Sequence, residues 1–339
     1  MWVSRLRALG KRVCLPGAIT GVLFASACSN AVEQSPKPAP VAERGSGPIA
    51  PLRAVSALDP ARVALGGSLF RDARLSRNGK IACASCHDLA KAGTDRIAQS
   101  VGLSGQTIGV NAPTVFNASL NFRQFWDGRA LSLEDQADGP LLSPVEMGSS
   151  WAKVIDTLGS DPATVQRFRE SYANGVTEEN VKDALAMFER SLSTPDAPFD
   201  RYLRGETRAI GPGAVRGYEL FTSYGCTACH QGEGVGGNMF QKLGVMGDYF
   251  ADRGHETPAD AGRYNVTHDE ADRHVFKVPS LRNVARTAPY FHDGSVTTLD
   301  EAVRVMGRYQ LGRDIEAPDV ATLVEFLESL TGCYEGRAL

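Results

Sequence analysis

Cys83-Ala84-Ser85-Cys86-His87 and Cys226-Thr227-Ala228-Cys229-His230 are two copies of one pattern, C-x-x-C-H. Thiols at this spacing can add to the two vinyl groups of one c-type haem, and the next histidine reaches the iron from one side. A bare C-x-x-C also suits a redox disulfide or half of a zinc site. The adjacent histidine in both copies, in a chain that begins with an export signal, favours two covalent haems.

An absence separates the two copies. His87 is the only histidine before residue 230. The first half therefore has no second histidine to close the far side of its haem, and that face is expected to be open to water or a small ligand. An iron held by one histidine and open opposite suits oxygen or peroxide chemistry. One closed by histidine and methionine suits electron transfer.

The chain's 339 residues allow about two domains at roughly 100–200 residues each. Residues 1–27 read as a signal peptide: Arg5, Arg7, Lys11 and Arg12 precede an apolar run, Leu15 to Ala27, too short to span a bilayer. Ala25-Ser26-Ala27 suits cleavage, and Cys28 directly after it suits lipid attachment. Without residues 1–27, the 36 basic residues lose four and the 39 acidic residues lose none, a formal charge of −7. This argues against nucleic acid and is compatible with a basic redox partner. Residues 31–51 are rich in Pro, Ala and Gly and read as a flexible tether. Four of the seven cysteines would bind haem, Cys14 leaves with the signal and Cys28 takes the lipid. Cys333 is left as a quiet thiol.

An internal repeat supports two modules. Leu65-Gly66-x-x-Leu69-Phe70 precedes the first haem motif, and Arg216-Gly217-x-x-Leu220-Phe221 precedes the second. Asp59-Pro60 supplies an N-cap and a first-turn proline. Thr177 to Ser193 predicts a helix with Val181, Ala184, Leu185, Phe188 and Leu192 on one face. Thr298 and Glu301 form a capping box for a helix ending at Met306-Gly307, and Pro318 starts a last helix with Val320, Leu323, Val324, Leu327 and Leu330 inward. Long β-alternation is missing. Residues 102–111 and 232–247 read as loops, and residues 195–212 as the junction between modules.

Several stretches besides the haem motifs resemble the bacterial di-haem cytochrome c peroxidases, a superfamily that includes the MauG protein-modifying enzymes. They are APTVFNASLNFRQFWDGRA (112–130), EDQADGP (134–140), PVEMG (144–148), TPDAPFDRYLRG (194–205), GGNMFQKLGV (236–245) and VPSLRNVARTAPYFHDGSVTTLDEAVRVMG (278–307). The resemblance covers residues 55–332. It implies a mainly α fold of two cytochrome c-like domains, each carrying one covalently bound c-type haem. The expected division is a signal peptide (1–27), a lipid-anchored flexible linker (28–54), an N-terminal peroxidatic domain (55–200) and a C-terminal electron-transfer domain (201–339).

Residue by residue, the resemblance implies the following. His87 and His230 are proximal ligands. Met306 is the distal ligand of the second haem, although Met239 and Met246 compete on spacing alone, and a core methionine is the plainer account. Trp126 matches an inter-haem tryptophan that can relay electrons, Glu146 an acid–base residue on the open face, and Gln136 a polar companion beside it. Asn111, Thr287 and Pro289 align with residues that bind calcium between the domains, a hard cation suited to oxygen ligands. One departure stands out. Where many members carry a histidine that caps the peroxidatic haem until the other haem is reduced, this chain has Ser100-Val101-Gly102-Leu103, and leucine cannot bind iron.

The expected activity is that of a cytochrome-c peroxidase. Hydrogen peroxide is reduced at the first haem with electrons from a small periplasmic donor, a cytochrome c or a cupredoxin, with no need for reductive activation. Family members are often dimers, and Cys28 would tether the protein to a membrane. Two alternatives stand beside this. One is a MauG-like oxidase that modifies a partner protein, against which Met306 counts because MauG has tyrosine there. The other is a di-haem electron carrier without catalysis, against which Glu146 and the open first haem count.

Overall fold

The computed structural model describes residues 47–339. The expectations for the signal peptide, Cys14 and Cys28 fall on residues 1–46, outside the described residues. The chain is mainly helical, with two small antiparallel strand pairs. Helices α1 (Pro60–Phe70), α2 (Cys83–Cys86), α3 (Leu133–Gln136), α4 (Asp138–Leu142), α5 (Trp151–Gly159), α6 (Pro162–Ser171) and α7 (Glu178–Ser191) come first. They are followed by α8 (Pro198–Leu203), α9 (Pro212–Ser223), α10 (Tyr249–Arg253), α11 (Tyr264–Thr267), α12 (Leu299–Leu311) and α13 (Ala317–Glu328). Strands β1 (Phe240–Lys242) and β2 (Val275–Lys277) pair, as do β3 (Cys333–Tyr334) and β4 (Arg337–Ala338). No helix among the described residues is long and apolar enough to cross a membrane.

Local chemistry sets the helix starts. The Asp59 carboxylate accepts from the N–H groups of Ala61 and Arg62, with Pro60 in the first turn of α1. Thr177 caps α7 by accepting from Asn180 N–H, and Thr298 caps α12 by accepting from Glu301 N–H. Helix α7 buries the expected face, Val181, Ala184, Leu185 and Phe188, and also Glu189. Helix α13 starts at Ala317, one residue before Pro318, and buries Phe326 as well as Val320, Leu323 and Leu327.

The internal repeat becomes two equivalent crossings. Helix α1 lies on α7, and α9 lies on α13. At each crossing the repeat's glycine permits the contact. A Cβ on Gly66 would sit 1.8 Å from Ala184 O, and one on Gly217 would sit 2.2 Å from Thr322 O. Around these crossings lie two apolar clusters. One contains Leu65, Leu69, Phe70, Phe168, Val181 and Leu192, the other Phe199, Leu220, Phe221, Val320 and Phe326. The boundary expected at 200/201 falls inside α8, whose Phe199 packs in the second cluster. Between the clusters, Asn117 Nδ2 and Asn283 Nδ2 both donate to Thr194 Oγ1 (2.7 and 3.0 Å), a buried polar knot.

Three expectations need correction. The tether does not extend to residue 51: Ile49 and Leu52 are 1% and 3% exposed, and Gly232 N donates to Pro48 O at 2.9 Å. Ile49 packs in the second cluster, and Leu52 is buried close by in sequence, its N–H donating to Asp200. Helix α12 runs past Met306-Gly307 to Leu311, because Ile315 covers Gly307 and the left-handed stop falls at Gly312. The expected loop at 232–247 contains β1, which pairs with β2 far along the chain, a partner no local pattern could announce.

Candidate active site

Helix α2 begins at Cys83 and ends at the first haem histidine, so the C-x-x-C-H motif is wound as a single turn. Cys83, Cys86 and His87 line a deep cavity between α1, α7 and the segment 100–147. Its walls are apolar where Phe70, Leu75, Ile81, Val115, Leu141 and Leu185 face in, and polar where Glu146, Gln136 and Arg129 do. Two thiols and an imidazole at one end of a large apolar slot fit a covalently held haem.

The histidines of the two C-x-x-C-H motifs are held alike. His87 Nδ1 lies 3.2 Å from Gly93 O, and His230 Nδ1 lies 3.3 Å from Val235 O. Donation from Nδ1 to a backbone carbonyl leaves Nε2 as the free lone pair, which is how metal-binding imidazoles are oriented. Burial lowers the pKa of both rings, that of His230 to about 4, so each is neutral as a ligand must be. Burial also pushes the Cys83 thiol up to about 12 and that of Cys226 up to about 11. A redox dithiol works through a lowered pKa, so these are poor redox motifs.

Glu146 lies in the tight turn after α4 and lines the first cavity. Burial raises its pKa, while Arg129 and a hydrogen bond from Ser143 pull it back. Arg129 is itself oriented by Asp127 (2.8 Å) and by its position 3.5 Å over the Phe125 ring. It was missed as a site residue although it lies within the quoted stretch 112–130, since a lone arginine in a loop carries no spacing signal. Gln136, at the end of α3, lines the same cavity.

Leu103 is 3% exposed, donates its N–H to Val145 O (2.9 Å) and packs against Gly148. Its loop is thus fastened to the Glu146 segment. The histidines lining the cavity are His87 and His292. His292 Nε2 is 2.6 Å from Asp260, which Arg253 also holds. Met147 lines the cavity as well and is 3% exposed.

Glu189 on α7 is a second cavity carboxyl that sequence reasoning missed. Its spacing was a signal: it stands four residues after Leu185, on the buried face. It is 9% exposed, and burial pushes its pKa up to about 8. The unfolded chain would release this proton near the ordinary 4.5, so between there and 8 the folded state holds a proton the unfolded state has lost. Stability therefore falls as pH rises through that window. Glu189→Gln is expected to leave stability nearly unchanged at pH 4.5 and to raise it at pH 8, by about a few kcal/mol at most, read as a higher Tm. Equal Tm values at pH 8 would place the carboxylate in a solvated position.

Trp126 joins the first cavity to the second module. It lines the cavity, donates from Nε1 to Asn111 O (2.9 Å) and accepts from Lys277 N–H (2.8 Å). It also packs in the cluster that contains Met306, Leu243, Tyr249 and Phe276. Of the competing methionines, Met306 and Met239 are half-buried and Met246 is 61% exposed. Around the second motif, Gln241 Nε2 approaches Cys229 Sγ at 3.9 Å and Phe221 lies beside the His230 ring.

Of the expected calcium ligands, Asn111 is brought to the segment that follows Pro289, since its N–H donates to His292 O at 2.7 Å. Its side-chain amide donates to Ile97 O and Ala98 O. Asp260, His292 and Asp293 also converge nearby. Arg253 bonds both carboxylates, which offsets one of their two negative charges.

Residues 60–208 match the family model for di-haem cytochrome c peroxidase. Cytochrome c551 peroxidase of Nitrosomonas europaea is 45% identical over 286 residues, covering 84% of each chain. The chain belongs to the di-haem cytochrome c peroxidases. Cytochrome c peroxidase Ccp of Escherichia coli K12 is 47% identical over 293 residues, 86% of this chain; the match spans 63% of that protein's length. Among solved structures, a MauG-like protein associated with microbial copper homeostasis superposes with a TM-score of 0.74 at 27% identity, covering 84% of this chain and 94% of that one. The chain is accordingly a peroxidase oxidoreductase, and family membership implies two haem c groups.

Proposed function

We propose that this protein reduces hydrogen peroxide to water at the first haem, with electrons entering through the second from a small periplasmic cytochrome c or cupredoxin. The observation that carries this is the first cavity. Glu146, Arg129 and Gln136 line the same slot as Cys83, Cys86 and His87. When bound, the first haem supplies the iron that takes peroxide and the second an electron-transfer centre. Consumption of one peroxide needs two electrons and two protons and yields two waters.

Glu146 accepts the proton of the near peroxide oxygen and returns it to the far oxygen as the O–O bond breaks. Its raised pKa suits both halves of that exchange. Arg129 faces the developing negative charge. Trp126, in contact with both the cavity and the Met306 cluster, is the route for electrons between the modules. His87, His230 and Met306 would hold the irons when the haems are bound. Asn111, Thr287 and Pro289 are the proposed calcium ligands, held at the junction that Trp126 crosses. Cleavage before Cys28 and lipid attachment there would tether the protein on the periplasmic side, with a homodimer as the family's usual assembly.

Because Leu103 cannot cap the iron, the fully oxidised protein should react with peroxide directly. Rapid mixing of the diferric protein with one equivalent of peroxide is expected to give an immediate change in the haem absorbance. A reaction that begins only after the second haem is reduced would show that another side chain, such as the cavity-lining Met147, performs the gating.

A further inference from the structure

Lys277 ends β2 and is 7% exposed. Its backbone is fixed, since its N–H donates to Trp126 O at 2.8 Å and its strand pairs with β1 through Phe240. Its neighbours Phe276 and Trp126 line the first cavity, while Lys277, next in the strand, points to the opposite face of β2, toward the other side of the Trp126 junction. No carboxylate, hydrogen-bond acceptor or aromatic face among the described residues meets its ammonium group. Burial is the sole influence on it, pushing its pKa down to about 8.

Two other buried charged groups among the described residues are matched, while Glu189, also without an ion-pair partner, escapes the cost by holding its proton. Arg282 faces Asp200, and Asp260 is held by Arg253 and His292. A buried cation without an anion is strongly disfavoured, and a Lys kept for packing alone would be better replaced by an apolar chain of equal volume. An anion is therefore missing from beside Lys277. The implied haems each bring two carboxylates that also need partners when withdrawn from water.

We infer that Lys277 is the cationic partner of a haem propionate at the Trp126 junction. This rests on the two-haem reading above. The shared chemistry is an ammonium–carboxylate pair, and the propionate can come from either haem. A cation beside a haem favours the reduced iron, because reduction adds a negative charge. Removing it lowers that haem's midpoint potential.

The test is spectroelectrochemical titration of the holoprotein, following each haem by its own absorbance bands. Lys277→Met and Lys277→Gln both remove the charge, and methionine preserves the volume in an apolar site, so one variant is retained if the other fails to mature. Either is expected to lower the midpoint of one haem, and the haem that moves identifies the propionate. Lys277→Arg should stay near the unmodified protein. Lys242→Gln, which removes an exposed charge on the adjacent strand, should move neither haem. The inference is overturned if both midpoints stay in place in a charge-removing variant that carries two haems, or if Lys277→Arg shifts as far as Lys277→Gln. Haem content below two in the unmodified protein, measured by pyridine haemochrome, would instead overturn the di-haem reading itself.

Discussion

Glu146→Gln is expected to lower peroxide turnover by about 10²–10⁴-fold while both haems attach normally, the span that a positioned acid–base group supplies. Glutamine preserves the shape of the side chain in the turn after α4 and removes only its ability to exchange a proton. The loss should appear equally in kcat and kcat/KM, because the proton moves only on the way to the transition state. A pH profile separates this from a packing defect. Glu146 must be ionised to accept a proton, so activity in the unmodified protein should fall on the acid side of its pKa. Burial raises that pKa, which places this limb above the ordinary carboxylate range. The variant should lose the limb along with the rate. Undiminished turnover, or an unchanged limb, would remove Glu146 from the chemistry and leave it as a wall residue.

The residues that make this site differ in how openly the sequence declares them. The haem motifs are legible because covalent attachment demands two thiols and a histidine at fixed spacing. The helix starts are legible because Asp59, Thr177 and Thr298 sit where orphan N–H groups need acceptors. The two helix crossings are legible through Gly66 and Gly217, since close helix approach excludes a side chain. Resemblance alone singled out Glu146 and Trp126, and the structure brings both to the cavity.

What escaped depends on contacts far along the chain. Gly307 looked like a helix end because a glycine after an apolar run usually is one, and only the fold reveals Ile315 packed over it. Glu189 was passed over because a charge in a helix is normally solvated, although its spacing put it on the buried face. The segment at 48–52 looked like tether because composition averages over its length and hides Ile49 and Leu52. Lys277 gives no local sign at all; its isolation from carboxylates exists only once β2 lies beside Trp126.

Asp200→Ala is expected to cost about 3–5 kcal/mol of stability, the penalty for stranding one member of a buried ion pair. Asp200 and Arg282 are both fully buried, with Arg282 Nη1 at 2.7 Å from Asp200 Oδ1. The pair fastens three separate parts of the chain. Asp200 accepts from Leu52 N–H (3.0 Å), Arg282 Nε donates to Glu233 O (2.8 Å), and Arg282 Nη2 donates to Ala50 O (3.1 Å). Glu233 lies three residues past His230, so the same arginine braces the segment that follows the second C-x-x-C-H motif. The pair is not ideally satisfied, since Asp200 Oδ2 has no hydrogen-bond partner and Arg282 Nη1 lies off the line of one. That makes its net worth modest while leaving the cost of breaking it high. The double variant Asp200→Leu/Arg282→Met should therefore be less damaged than Asp200→Ala alone. Denaturant midpoints give the comparison, and proteolysis provides a local readout. Release of residues 48–52 should speed cleavage at Arg53, whose side chain is already exposed, in Asp200→Ala relative to the unmodified protein. A loss below about 1 kcal/mol, the range of an exposed pair, would mean that water reaches Arg282 and that the segment is held by Ile49 and Leu52 alone.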